Sequence, residues 1–266
     1  MKRLPLIVCA LVLASLVLSA CGPAAAGGAC GGGHMAGLPD LGGQAITVAV
    51  ENAYPPFNSI DETTGKGVGW DYDTVCEICN RVNCVPEFSQ AAWDGLFPAM
   101  TAGEYDMAAD GITYTEERDQ TVDFSIPYVT VGQVLLVRSA ETKLLADFQA
   151  DASLTIGTQI QTTNYIVAEE TFPDREIVAF EDFGAAVLAL IAGDVDAVVI
   201  DNVSAVGYIG ANPTDIKIGD QITSDEQLAF VFPPGSDLIE AVDAALQSMI
   251  DDGKLEELNK QWKLVK

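Results

Sequence analysis

Positive charge is scarce in this chain. Thirteen lysines and arginines stand against 39 aspartates and glutamates, for a formal net charge of −26. That balance argues against nucleic acid and against anionic membrane surfaces as partners. It would attract cationic solutes, and it also serves plain solubility. Histidine is scarcer still: His34 is the only one, in a glycine-rich stretch. No G-x-S-x-G run occurs, so no nucleophile–base pair is visible, and a zinc site built on the cysteines would lack its fourth ligand. No metal or cofactor is expected. Long apolar runs are absent after the first twenty residues, so no later segment is expected to span a membrane.

The beginning of the chain has its own pattern. Met1, Lys2 and Arg3 form a charged start, and residues 4–18 are apolar but short for a membrane span. Residues 1–20 are therefore expected to be a signal peptide. Leu18-Ser19-Ala20-Cys21 reads as a lipobox in which Cys21 resembles the acylated residue of bacterial lipoproteins; the alternative is an ordinary signal peptide with an incidental cysteine. Residues 21–43, rich in glycine and alanine, read as a flexible tether. Export would bring Cys30, Cys76, Cys79 and Cys84 into a compartment where disulfides persist. Cys76 and Cys79 lie three apart on a predicted helix, and Cys84 opens the next strand. Cys79–Cys84 is the favoured link and Cys76–Cys84 the second. Buried free thiols are the alternative, and the pairing of Cys30 and Cys76 is open.

Residues 45–51 alternate and are β-branched, which predicts a strand delivering Glu51 to a rigid Tyr54-Pro55-Pro56 loop. Residues 105–109 predict a second strand, running into a turn at Asp110-Gly111. Thr113, Thr115 and a helical turn ending at Arg118 follow. Glycine lets a ligand approach bare backbone, Thr113 offers a hydroxyl, and the Arg118 fork matches a carboxylate with two parallel hydrogen bonds. A loop whose arginine makes a surface ion pair fits the spacing equally. Thr162 and Thr163 stand at a predicted helix start, suited to an anion or to simple capping. A buried parallel-type strand ends in Asp201, where open α/β sheets bind ligands; the same residue is placed to cap the next helix. Asp71 is placed to cap the helix after Trp70.

The run D-G-I-T-x-T-x-x-R-x-x-x-V-D-F-S-x-P-Y, residues 110–128, resembles the signature of the bacterial extracellular solute-binding proteins of the polar amino-acid class, family 3. G-W-D-Y-D at 69–73, W-D-G-L-F-P-A-M at 93–100 and D-G-x-L…W at 252–262 agree with it. The resemblance covers residue 45 or so to the C-terminus. It implies an α/β fold of two lobes, each a mixed sheet flanked by helices: residues 44–128 and 229–266 in one, 133–223 in the other, with hinge crossings at 129–132 and 224–228. It implies the monomeric binding subunit of an ABC amino-acid importer, partnered by a permease and held to the membrane only by its lipid.

The same resemblance implies a site. Arg118, with Gly111, Thr113, Thr162 and Thr163, would hold the α-carboxylate, and Asp201 the α-ammonium. Tyr54 and Trp70 would embrace the side-chain stem. Glu51 would meet its tip, with Asp110 as a second carboxylate where relatives often carry Ser or Ala. Trp93 reads as structural, and Gln161 stands where the family usually has glycine. Arginine or lysine is the expected ligand, then glutamine or histidine. The alternatives are a prephenate- or arogenate-type dehydratase with Glu181 as general acid, and a ligand-presenting sensor module.

Overall fold

The computed structural model describes residues 30–264. The expected signal peptide at 1–20, the acylated Cys21 and the first part of the tether lie outside the described residues. In chain order, β1 (Gln44–Val50), β2 (Ala53–Tyr54), β3 (Asn58–Ile60), β4 (Gly67–Val68), α1 (Trp70–Val82), β5 (Cys84–Gln90), α2 (Leu96–Thr101), β6 (Met107–Thr113), β7 (Asp123–Phe124) and β8 (Val129–Val131) build the first lobe. The second lobe holds β9 (Gln133–Arg138), α3 (Leu145–Ala150), β10 (Ile156–Gln159), α4 (Thr163–Thr171), β11 (Val178–Phe180), α5 (Phe183–Ala192), β12 (Ala197–Asp201), α6 (Asn202–Ala211) and β13 (Ile216–Gln221). The chain then returns to the first lobe through β14 (Glu226–Phe232), α7 (Ile239–Asp251) and α8 (Lys254–Gln261).

Each lobe has one mixed sheet. The first runs β5-β1-β6-β14-β7, with β8 also on β14; the second runs β11-β10-β12-β9-β13. Strands β5, β1 and β6 are parallel, as are β11, β10 and β12. Parallel strands covered on both faces are continuously apolar, and Ala197-Val198-Val199-Ile200 in β12 is buried throughout. Helix α7 turns Ala241, Val242, Ala245, Leu246 and Met249 inward at helical spacing, leaving its acidic face to solvent. Large side chains such as Phe57, Phe230 and Phe232 are fully buried. Each stabilises the fold by roughly 1.5–3 kcal/mol relative to exposure.

The carboxyl ends of four strands converge between the sheets. Glu51 follows β1, Thr113 ends β6, Gln159 ends β10 and Asp201 ends β12. The chain crosses between lobes at Gly132 and again after β13. A Cβ on Gly132 would lie 2.1 Å from the Thr223 carbonyl oxygen, so glycine lets the two crossings press together.

Three local expectations are corrected. No turn separates Asp110 from Gly111: both lie inside β6, which is buried along its whole length. The break shows instead as a bulge, with Gly111 at φ 56° and a shifted register against β14. Asp71 does not cap α1. Gly69 holds that position, while Asp71 is fully buried and accepts a hydrogen bond from Asn58 Nδ2 at 2.8 Å. Nor are residues 30–43 a free tether. Cys30 is disulfide-bonded to Cys76, the Met35 N–H donates to the Arg81 carbonyl at 2.8 Å, and the Leu41 N–H to that of Val82 at 2.8 Å. Leu38 and Leu41 pack on the core. Two leucines and a cysteine outweigh the glycine-rich composition.

The second disulfide, Cys79–Cys84, joins α1 to β5 as expected, and the first closes the open pairing of Cys30 and Cys76. Replacing Cys30 and Cys76 together by serine is expected to lower stability by about 2–4 kcal/mol in urea unfolding. Amide exchange in residues 31–43 should rise at the same time. Unchanged protection there would show that the leucines alone hold the segment.

Candidate functional site

A small cavity lies between the lobes, lined by Glu51, Tyr54, Trp93, Asp110, Gly111, Thr113 and Arg118 from the first and by Gln159, Thr162, Thr163, Asn164, Phe183 and Asp201 from the second.

Its basic pole is Arg118, just beyond the end of β6. Nη1 donates to the Thr113 carbonyl at 2.8 Å. The guanidinium carbon lies 5.3 Å from the Trp93 ring centre and 4.6 Å from that of Phe97. These rings hold the cation by its face and leave further N–H donors free. Among the described residues, no carboxylate forms a salt bridge with it. Burial lowers its pKa to about 10, against the pull of Asp201, Glu226 and Glu117.

Three carboxylates face it, and all are buried: Glu51, Asp110 and Asp201. Asp201 accepts the Tyr54 hydroxyl and, at 2.9 Å, Asn164 Nδ2. Burial first, and then the charge of Glu226, raise it to about 7 despite those donors. Glu51 accepts Gln159 Nε2 at 2.7 Å. Its burial, followed by the charge of Asp110, pushes it well above the carboxylate range. Asp110 accepts Asn58 Nδ2 at 2.7 Å and is raised by burial. The same Asn58 nitrogen serves Asp71 at 2.8 Å behind the cavity, where burial lifts the Asp71 carboxyl to about 8.

The remaining walls are apolar or neutral. The Tyr54 ring stacks on Phe183 at 5.3 Å and on Phe57 at 5.5 Å. A Cβ on Gly111 would sit 2.7 Å from Tyr54, so the bare strand is what admits this ring. Thr162 caps α4, accepting the Tyr165 N–H at 3.1 Å and donating to the Gln159 carbonyl at 2.7 Å. Gln161 takes φ 59°, the left-handed conformation that glycine would supply, and its Nε2 reaches Asp94 across the cleft at 2.9 Å. The Tyr208 hydroxyl also crosses, donating to the Ala53 carbonyl at 2.6 Å.

Nine of the ten residues expected at the site line the cavity; Trp70 does not. It is fully buried beneath the site, against Tyr128 and Phe230 at 4.4 and 5.9 Å, and its Nε1 donates to Asn259 at 2.7 Å. Trp93, read as structural, lines the cavity in its place. Gln159, Asn164 and Phe183 were not singled out by the sequence reading; each lies beside an expected strand end or helix start, which is the signal that could have found them. Glu181, required by the dehydratase alternative, is exposed, and only its carbonyl is engaged, by Gln159 at 3.0 Å.

The chain matches the model of the bacterial extracellular solute-binding proteins, family 3, over residues 46–265. It is 26% identical to the L-cystine-binding protein TcyA of Bacillus subtilis (strain 168), across 82% of this chain and 80% of that one. It is 25% identical to ABC transporter arginine-binding protein 1 of Escherichia coli (strain K12), across 82% of this chain and 90% of its relative. Among solved structures, the arginine-, lysine-, histidine-binding protein ArtJ of Geobacillus stearothermophilus aligns with a TM-score of 0.76 at 34% identity, covering 82% of this chain and 95% of ArtJ.

The raised carboxylates set a pH dependence. Folded Asp201, at about 7, keeps a proton that the unfolded chain releases near its ordinary value of 3.8. Between those values the native state binds more protons, so stability falls as pH rises through the window. The melting temperature of ligand-free protein is expected to drop from about pH 5 to about pH 8, and less steeply in Asp201→Asn. A flat profile in the parent protein would overturn this account.

Proposed function

The chain belongs to the bacterial extracellular solute-binding proteins, family 3, and from that premise we propose that it is a lipid-anchored extracytoplasmic receptor that captures a cationic amino acid for an ABC-type importer. Arginine or lysine is the preferred ligand, with glutamine or histidine next. The observation that carries this reading is the make-up of the cavity, three buried carboxyl groups against one guanidinium; burial makes these carboxyls hold protons, and a ligand cation beside them favours their ionised form. A zwitterion uses Arg118 for its carboxylate and Asp201 for its ammonium. Glu51 and Asp110 are then left over, and an unpaired carboxylate in an enclosed space is costly. A side-chain cation answers both, while Trp93, Tyr54 and Phe183 cover its methylenes.

The names of ArtJ and of the Escherichia coli relative support the same choice. Cystine, named for TcyA, would bring a second ammonium together with a second carboxylate, so no net positive charge, and should bind less well here than a side-chain cation. Lipid anchoring at Cys21 rests on the sequence motif, and Cys21→Ser should release the protein from membranes.

Two measurements test the reading. A thermal-shift and calorimetric series should rank arginine or lysine first, and glutamate or aspartate last. Glu51→Gln should weaken a cationic ligand far more than a neutral one. Glutamate as the tightest binder would sink the assignment of Glu51 while leaving amino-acid binding intact. Separately, Arg118→Ala should keep the fold and lose roughly 2–5 kcal/mol of affinity, the cost of stripping one partner from a desolvated charge pair. Near-parent affinity in that variant would remove Arg118 from the carboxylate clamp.

A further inference from the structure

Glu226, the first residue of β14, belongs to none of the sequence motifs, yet both lobes and both crossings meet on its carboxylate. Oε1 accepts the Thr223 hydroxyl at 2.7 Å, in the second crossing. Oε2 accepts Gln133 Nε2 at 3.0 Å, at the end of the first. The same oxygen lies 3.4 Å from the Thr113 hydroxyl and 3.3 Å from that of Thr163. Thr113 ends β6 in one lobe and Thr163 opens α4 in the other, and both line the cavity.

Each threonine hydroxyl has a single proton to give. The two hydroxyls lie 3.4 Å apart, and Thr163 also receives Gln133 Nε2 at 3.3 Å. At 3.3 and 3.4 Å the contacts are longer than a charge-assisted O–H···O⁻ bond, but the carboxylate is the charged acceptor within reach of both hydroxyls, and its field orients their dipoles toward it. Both protons therefore turn toward Glu226, and lone pairs are what the threonines keep for the cavity. This wall accepts hydrogen bonds and carries negative potential. The negative potential extends to Asp201, on which Glu226 exerts the leading electrostatic influence.

We propose that Glu226 is a specificity-determining residue: by holding the hydroxyl protons of Thr113 and Thr163 it makes the hinge-side wall a receptor for an α-ammonium group, so that amino acids are taken and their α-hydroxy counterparts refused. The assignment rests on the amino-acid-binding reading above and refines it. It moves the two threonine hydroxyls from the carboxylate end of the ligand to the ammonium end and leaves the carboxylate to Arg118.

The test compares L-arginine with its α-hydroxy analogue by calorimetry, in the parent protein and in Glu226→Gln. L-Glutamine and its α-hydroxy analogue serve if arginine does not bind. The parent should prefer the amino acid strongly. Glu226→Gln should shrink that preference on the order of tenfold, the worth of one hydrogen bond to a charged group, by weakening the amino acid and sparing the hydroxy acid. Glu226→Asp, which restores the charge, should recover much of it. Thr113→Val, which removes one acceptor, should shrink the same ratio and keeps the test open if Glu226→Gln does not fold.

Equal weakening of both ligands in Glu226→Gln would mean that Glu226 only braces the hinge, and the proposal falls. If the parent binds no amino acid, the functional reading falls first and this inference with it. If the parent binds amino acids and the ratio is unmoved, only the inference fails.

Discussion

Charged groups withdrawn from water must find partners or change their protonation, and one cavity here holds both signs under that constraint. Glu51, Asp110 and Asp201 are each less than a tenth exposed, and each has a neutral donor in place of a cation: Gln159, Asn58, and Tyr54 with Asn164. Amide and phenol donors orient the oxygens without neutralising them. The carboxylates remain hungry for positive charge, while Arg118 is held by aromatic faces and a backbone carbonyl. Such a cavity is preorganised for charges that arrive with a ligand.

The scaffold explains how these groups come together. Four parallel strand ends, two from each sheet, point into one gap, so side chains distant in sequence become neighbours. Gln159 and Glu51 are 108 residues apart and share a 2.7 Å hydrogen bond. Between the lobes the chain passes twice, and the passages are pressed together at Gly132. Glu226 sits beside that point, bonded to hydroxyls from both lobes. Its charge thus joins the recognition chemistry to the part of the molecule where the lobes are joined.

Much of this was legible in the sequence. The alternation of residues 45–51, the apolar run into Asp201 and the motif around Arg118 are local patterns, and local patterns survive folding. The errors have physical causes. Trp70 and Trp93 both precede an aspartate, and sequence proximity to a helix start cannot say which ring faces a cleft. Asn259, 189 residues away, claims the Trp70 indole and seals it in the core. Asp110-Gly111 has turn composition, but β14 pairs across it and converts a turn into a bulge. Residues 30–43 look unfoldable by composition, yet Cys30 and the leucines dock them on α1. Glu226 carried little local signal, because only Thr223 is near it in sequence and its other partners, Thr113, Gln133 and Thr163, come from three separate segments.

The placement of the tryptophans has an optical consequence. The chain has three. Trp70 is sealed in the core, and Trp262 donates to Asp73 at 2.8 Å, away from the cavity. Only Trp93 lines the cavity wall, its indole against the Arg118 guanidinium. Indole emission shifts with the polarity and charge of its surroundings, so nearly all of any fluorescence change on filling the cavity would originate from one ring. The unlabelled protein therefore carries its own reporter, with Trp70 and Trp262 as a constant background.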